Sequence, residues 1–520
     1  MSATARRLLP SAARILAGAL LLVSVVVADG RPVVFADSNI YYWMGQMQLR
    51  PVRYALSPWI GGPSRASEDP DAADEAPAEM QLRRTEMAAR SPWFGTWLYV
   101  VAGWGSLWWL TAAQALAASF SVHALWRGLA PRGRTRHWLG LMAGLAVAST
   151  LPFFAGFAMP DVWAGLGVVS LAALMFVRPR IGPVSQAGLG VILLACVAFH
   201  PTNGLVLLPS AVLAALIAHR GLGRPLAGLL AGLGALAAAV VLTALMNAAY
   251  GGAIRSATGE TLRSPPFLAA RLLADGPGRT YLRASCGPPG SPSRWALCRF
   301  RYLPLTDSQD ILWSGDPGKG VFGRASAAER IRIDQQQTDF ALHVLASDPL
   351  GVVGAAGRNA LQTLISVQLD DPLRDPHFYL TDPDWRDTFI ADLVHHLGPC
   401  GQEERGCRPR FTEAQSILWH GGAFVLALAV IGWRTTRPAW QRGLRRGHER
   451  IGETTAVLVL FGLALVLNAG LTGALSGPFA RYQARLAWLV PLGAGLVLSP
   501  GWLGRLGRLR IGVGGPVRAD

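Results

Sequence analysis

Charged residues are scarce in this chain of 520 amino acids. Asp, Glu, Lys and Arg together make up 15% of it, while 51% of its residues are hydrophobic. About a quarter of the residues in soluble globular proteins are charged. Lysine is almost absent, with Lys319 the single example, a bias that reflects base composition rather than chemistry. The shortage of charge excludes an ordinary soluble fold and predicts an all-α polytopic membrane protein.

The net charge of +16 does not indicate a nucleic-acid partner. A nucleic-acid footprint gathers basic residues on one face of a folded soluble domain. Here short arginine clusters separate long apolar runs, which is typical of helices that cross a bilayer and end at its faces. We therefore predict contact with membrane lipid and no nucleic-acid binding.

The chain also lacks an internal repeat, which many secondary transporters carry in their duplicated halves. Its apolar runs follow one another without such a period. Each is close to the ~20 residues that a helix needs to cross ~30 Å of hydrocarbon. The ten predicted transmembrane helices cover residues 12–28, 106–126, 138–155, 159–177, 186–200, 203–219, 225–250, 415–433, 454–475 and 483–499.

Arginine positions predict the orientation of these helices, because cytoplasmic loops are enriched in basic residues. Clusters precede the first helix and follow every even-numbered one, so both termini are predicted to face the cytoplasm of a bacterial inner (plasma) membrane. The first run also has features of a cleaved signal peptide, although a retained helix is the preferred interpretation. The loops predicted to face the periplasm are 29–105, 156–158, 200–202, 251–414 and 476–482.

Three regions follow from this arrangement. Residues 1–250 form an N-terminal membrane domain with helices one to seven, residues 251–413 a periplasmic insert, and residues 414–520 the last three helices and a cytoplasmic tail. Within the insert, residues 350–369 are apolar but carry Arg358 and several amides. That mixture favours a helix lying on the surface over an eleventh span.

Four of the five cysteines fall in the insert as two local pairs: Cys286 with Cys298, and Cys400 with Cys407. Short-range pairs in a non-cytoplasmic segment are typical of disulfides, which persist in an oxidising compartment. A metal site that combines His395 and His396 with the second pair is the alternative, but its spacing matches no standard zinc pattern. We predict two disulfides and no metal centre.

Polar and ionisable side chains gather at the predicted periplasmic ends of separate helices. Such groups are costly near membrane depth and usually face a protein interior or a wet cavity. They stand after the first helix, at the start of the fourth, between the fifth and sixth, and at the start of the tenth. The candidates, in that order, are Asp37 with Tyr41, Asp161, His200, and Arg481 with Tyr482 and Arg485.

Most of these residues also have a purely structural interpretation. Asp161 follows a proline and suits the cap of the fourth helix. His200 precedes a proline and suits a satisfied turn. Arg481 and Arg485 suit the anchoring of a helix end at the membrane surface. Asp37 fits such a role least well, because a solvent-exposed loop acid has no need of the aromatic residues around it.

A further segment, Arg90 to Phe94 (Arg-Ser-Pro-Trp-Phe), precedes the second predicted helix. Together with Asp37, the Pro-Asp at residue 161 and the Arg-Tyr at residue 481, it makes the chain resemble the GT-C superfamily. These membrane glycosyltransferases use polyprenyl-phosphate sugars and include protein mannosyltransferases and lipid A aminoarabinose transferases. The resemblance covers the order of helices one to seven and the last helix, but not the insert.

The resemblance implies that Asp37 is the catalytic base and that Arg481, Arg485 or His200 holds the donor phosphate. The remaining substrate-binding candidates are Asp161, Tyr482, Tyr41 and Arg90. Many members carry a second acid beside the first, whereas Ser38 follows Asp37 here, which argues against a divalent metal cofactor. The implied donor is a polyprenyl-phosphate-linked sugar, and the implied acceptor is an envelope glycan, lipid or protein.

Other functions stay open at this point. A lipid or glycan transporter (flippase) is the main alternative, although polar groups in transporters lie at mid-membrane depth, on broken helices. A polymerase or ligase that acts on undecaprenyl-linked glycans is another. A non-catalytic membrane protein that organises envelope assembly is the last, and the missing second acid keeps it in consideration.

Overall fold

The computed structural model describes residues 3–60, 90–103, 106–258, 265–288, 293–369 and 411–498. Across these ranges the regular structure is helical, with one isolated bridge between Val33 and Phe157. The prediction of an all-α fold is confirmed for this part of the chain.

Helices fill most of the described chain up to residue 258. They are α1 (Ala3–Asp29), α2 (Ala36–Ile60), α3 (Pro92–Leu98), α4 (Leu107–Leu129), α5 (Thr135–Ala148), α6 (Leu151–Gly156), α7 (Asp161–Arg180), α8 (Pro183–Phe199), α9 (Thr202–Leu222) and α10 (Leu226–Thr258). Both α2 and α3 lie inside residues 29–105, which the sequence analysis treats as a loop. Helix α10 continues past the domain boundary predicted at residue 250.

The C-terminal part is also helical where it is described. Its helices are α11 (Phe267–Asp275), α12 (Pro277–Ser285), α13 (Ser308–Trp313), α14 (Ala327–Ser347), α15 (Pro349–Ile365), α16 (Glu413–Thr436), α17 (Pro438–Arg445), α18 (Glu449–Leu475), α19 (Ala480–Ala487) and α20 (Leu489–Leu498).

Six of these helices are long and apolar enough to cross a membrane: α1 from Pro10, α7, α9, α10, α16 and α18. A seventh span results if α14 and α15, which meet at an angle of 106°, count as one broken span. The six coincide with six of the predicted transmembrane segments. The chain is therefore a multi-pass membrane protein.

The other four predicted segments are helical but do not belong to this set of six. Residues 106–126 correspond to α4, and residues 186–200 to the shorter apolar helix α8. Residues 138–155 form two helices, α5 and α6, and residues 483–499 are divided between α19 and α20. The apolar runs were correctly identified as helices, and two of them contain a break that hydropathy does not reveal.

The break between α5 and α6 is made by two hydroxyl side chains. Ser149 donates to the carbonyl oxygen of Leu145 (2.6 Å), and Thr150 donates to the carbonyl oxygen of Ala484 in α19 (2.7 Å). Both side chains are buried. The local Ser149 bond competes with the helical ladder, and the Thr150 bond fastens the break to a distant helix.

Two large hydrophobic cores, and a small cluster around Trp440, are present in the described residues. The larger one contains residues of α1, of the consecutive helices from α4 through α9, and of α18 and α20. It includes the fully buried Trp126, Trp138 and Trp488. The smaller one lies within the insert around Trp295, Leu312 and Phe340. The insert therefore has an apolar core of its own.

Helix α15 packs along α18, one of the six candidate spans. At Gly473 the two backbones are so close that a Cβ atom would lie 2.6 Å from the backbone nitrogen of Ala360. The other face of α15 exposes Leu350, Val353 and Leu361. The glycine allows this close approach of α15 to α18, and the helix lying on the surface stays a prediction.

Candidate functional site

Asp37 lies in the first turn of α2, and its position is set by the residues around it. After α1 the chain is extended and pairs with residues before α7: Val33 N–H donates to Gly156 (3.0 Å), and Ala158 N–H donates to Val33 (2.9 Å). The buried Ser38 hydroxyl donates to the carbonyl oxygen of Ala158 (2.9 Å) and accepts from an N–H of this extended segment (3.0 Å). Ser38 therefore has a structural role, because it joins the start of α2 to the segment before α7.

Arg90 forms a direct ion pair with Asp37, at 2.5 Å between Nη2 and Oδ1. The next residue, Ser91, fixes the approach: its hydroxyl donates to the carbonyl oxygen of Ala198 (2.6 Å) and caps the N-terminus of α3. A serine cap followed by proline is a common start of a helix. The Arg-Ser-Pro segment thus ties Arg90 to the end of α8.

Arg481 approaches Asp37 from the other side. It lies in the first turn of α19, with Nη2 at 3.6 Å from Oδ2 of Asp37. Its guanidinium group lies over the ring of Phe35, 5.0 Å from the ring centroid. Asp37 is therefore held between two cations that come from distant parts of the chain.

Asp161 and Arg485 form a second, deeper pair. Their closest atoms, Oδ1 and Nη1, are 3.7 Å apart, and Arg485 also donates to the side chain of Asn468 (3.0 Å). Asp161 is the first residue of α7, yet Pro160 occupies the cap position and no side-chain cap bond is formed. The helix-cap interpretation of Asp161 is therefore not supported, since its carboxylate faces a buried cation instead.

Two of the remaining candidates border these ion pairs. The ring of Tyr482 lies 5.7 Å from the guanidinium carbon of Arg481 and 5.6 Å from that of Arg485. Tyr41 is buried, and burial raises the pKa of its hydroxyl above the ordinary value, so Tyr41 stays protonated.

His200 belongs to the same cluster electrostatically. Its Nδ1 lies 2.6 Å from the hydroxyl of Thr202, a local bond that matches the turn interpretation. Burial, together with the positive charges of Arg485, Arg90 and Arg481, lowers the pKa of His200 to about 3. The imidazole is therefore neutral at neutral pH.

Asp37 keeps its charge despite its surroundings. Burial by itself would raise the pKa of Asp37, but the guanidinium groups of Arg90 and Arg481 outweigh it and hold the pKa below its ordinary value. The carboxylate is thus ionised at neutral pH and able to accept a proton.

The ion pairs of Asp37 are more accessible to solvent than the pair formed by Asp161 and Arg485. Exposed side-chain fractions are 30% for Asp37, 18% for Arg90 and 12% for Arg481, but 4% for Asp161 and 1% for Arg485. Among the described residues of the cluster, three guanidinium groups face two carboxylates. The accessible part of the cluster combines a base with cations suited to an anionic group.

Trp313 was not among the predicted residues, yet the insert brings it over Arg90, with 5.8 Å between the guanidinium carbon and the ring centroid. Trp313 ends α13, so the insert borders the site directly. Asn468, which orients Arg485 from α18, was not predicted either. No local pattern marks either residue, because each is joined to the site only by packing of distant segments.

The predicted disulfide between Cys286 and Cys298 is confirmed, with 5.6 Å between the two Cα atoms. Cys400 and Cys407 lie outside the described residues, as do the histidines of the alternative metal site. Within the described part of the chain, no group of three or more His, Cys, Asp or Glu side chains is arranged to hold a metal ion.

Comparison with known proteins adds no assignment. No protein-family model, no curated protein and no solved structure matches this chain.

Proposed function

We propose that this protein is an integral-membrane glycosyltransferase of the GT-C type. It transfers a sugar from a polyprenyl-phosphate donor to an envelope acceptor at the periplasmic face of the bacterial inner membrane. One observation carries the proposal: the ionised, accessible carboxylate of Asp37 lies between the guanidinium groups of Arg90 and Arg481.

The donor phosphate is assigned to Arg481, with Arg90 beside it. The Arg481 guanidinium group lies 3.6 Å from Asp37 and is 12% exposed, and a planar cation of this kind pairs well with phosphate oxygens. Arg485 is the weaker choice, because it is almost fully buried against Asp161. We assign Arg485 the task of fixing α19, and with it Arg481.

The proposed reaction uses Asp37 as a general base. The carboxylate takes the proton of an acceptor hydroxyl while that oxygen bonds to the anomeric carbon of the sugar. The bond between this carbon and the phosphate oxygen breaks, and its electron pair leaves with the lipid phosphate. Attack opposite the phosphate inverts the anomeric centre, and Arg481 stabilises the charge on the leaving group.

The position of the site suits a lipid-linked substrate. Asp161 begins α7, while Arg180 ends it and pairs with Glu453 of α18 at 2.5 and 2.7 Å. A 20-residue helix rises about 30 Å, so the two clusters are separated by roughly one bilayer core. We propose that the Asp37 end faces the periplasm and the Arg180 end the cytoplasm, in a ten-span arrangement with both termini inside.

The test is complementation of a gene deletion with Asp37→Asn, which removes the base but keeps the shape. We expect wild type to restore sugar transfer, and Asp37→Asn to leave the lipid-linked sugar accumulated and the envelope glycan one sugar short. Mass spectrometry of envelope glycans and lipid-linked sugars gives the readout. Asp339→Asn, an exposed acid on α14, is the matched control and should behave as wild type.

Normal transfer by Asp37→Asn at equal expression would remove Asp37 from the catalytic role. The buried Asp161–Arg485 pair beside the break between α19 and α20 is the feature that favours a transporter. Loss of a flippase leaves completed lipid-linked glycan on the cytoplasmic face, and no envelope glycan that is one sugar short is formed. Accumulation of completed lipid-linked glycan would favour the transporter over the transferase.

A further inference from the structure

The insert contains a groove that is separate from the Asp37 site. Its volume is about 420 Å³, within the range of small-molecule and cofactor sites. Among the residues that line it, four are arginines and one is acidic. The charged and aromatic lining residues are Arg294, Arg299, Arg301, Arg332, Glu329, Trp295 and Tyr302.

Only one of the four arginines is neutralised by a carboxylate in the described chain. Glu329 accepts from Arg299 at 2.6 Å and from the hydroxyl of Ser326 at 2.9 Å. No described carboxylate forms an ion pair with the other three, and the groove therefore has an excess of positive charge.

Contacts within the insert order two of these cations, Arg301 and Arg294. Arg301 donates to the carbonyl oxygen of Gly287 (2.5 Å) and to the hydroxyl of Tyr302 (2.7 Å), and it lies over the tyrosine ring. Arg294 lies over Trp295, 4.8 Å from the ring centroid. The disulfide between residues 286 and 298 closes the loop that bears Arg294 and joins it to the turn that bears Arg301. Cations ordered before binding lose less entropy when an anion arrives.

We propose that this groove binds an anionic glycan, a sugar chain that carries carboxylate or phosphate groups. Guanidinium groups pair with these anions, and the Tyr302 ring, 73% exposed, offers a flat apolar face to a sugar ring. No leucine, isoleucine or valine is among the described lining residues, so the groove lacks the branched aliphatic side chains that an acyl chain would contact. The inference does not depend on the sugar-transfer reaction.

The test measures binding to the full-length protein in phosphatidylcholine nanodiscs. Fluorescent hexagalacturonate is the anionic probe, and maltohexaose is the neutral control. The test variant is Arg294→Gln/Arg332→Gln. The matched control is Arg324→Gln/Arg358→Gln, which removes the same charge from two other exposed positions. We expect hexagalacturonate to bind and maltohexaose not to bind.

The test variant should weaken hexagalacturonate binding by about tenfold or more, because charge-assisted hydrogen bonds are lost, while the control should change it less than about twofold. Equal losses in both double variants, or equal binding of both sugars, would overturn the proposal. Displacement of hexagalacturonate by glycerol 3-phosphate at lower concentration than by monomeric galacturonate would point to a lipid headgroup, and the proposal would be wrong.

Discussion

Asp37 shows how two opposing effects set the state of one side chain. Burial disfavours the carboxylate, but Arg90 at 2.5 Å and Arg481 at 3.6 Å favour it and prevail. A base that stays ionised at neutral pH accepts a proton without first losing one. The two arginines thus serve the base as well as the proposed phosphate.

We predict that Arg90→Gln moves the acid limb of the sugar-transfer rate to higher pH. Without this cation the pKa of Asp37 rises, so the carboxylate is protonated, and the rate falls, at a higher pH than in wild type. The measurement is a pH profile of transfer by membranes of each variant. Arg90→Lys keeps the charge and should shift the limb less. Identical acid limbs in all three proteins would contradict the electrostatic role of Arg90.

Among the helices, the contact between α15 and α18 depends on the absence of one side chain. A Cβ atom at Gly473 meets the backbone of Ala360 and Asn359, and backbone atoms cannot rotate aside as a side chain does. Gly470, one turn earlier in α18, has nothing within 4 Å of a Cβ position. The two glycines therefore differ in packing although they share a helix.

We predict that Gly473→Ala lowers the free energy of unfolding by about 1–3 kcal/mol, the usual cost of overpacking. Gly470→Ala should be neutral or stabilising, because alanine favours a helix by about 1 kcal/mol over glycine. Thermal unfolding of each variant in detergent, followed by tryptophan fluorescence, measures the difference. An equal effect of both substitutions would show that α15 does not pack on α18 as described.

For the whole molecule, the two charged clusters at the ends of α7 give a testable orientation. Tyr302 in the insert and Arg178 near the end of α7 are both exposed. We predict that a membrane-impermeant maleimide labels Tyr302→Cys in intact cells stripped of the outer membrane, and Arg178→Cys only after permeabilisation. Both labelling variants also carry serine in place of Cys196, Cys400 and Cys407, so that these thiols do not react. The reverse pattern would contradict a periplasmic site.

The sequence predicted more of the fold than of the site. Six spans coincide with apolar runs, because the bilayer requires long uninterrupted hydrophobic helices whatever their neighbours. The break at Ser149 and Thr150 was missed, since the carbonyl oxygen that Thr150 contacts belongs to Ala484, far along the chain. The disulfide at Cys286 was found because its partner is only 12 residues away.

What the sequence by itself determined is the membrane character of the chain, the approximate helices and the side chains available for chemistry. The tertiary structure alone decided that Arg90 contacts Asp37, that Arg485 is buried against Asp161, and that Trp313 borders the site. The physical reason is that hydropathy is a local property of each segment, whereas these contacts depend on which faces of distant helices pack together. Spans built of uniformly apolar residues carry little signal of which face that is.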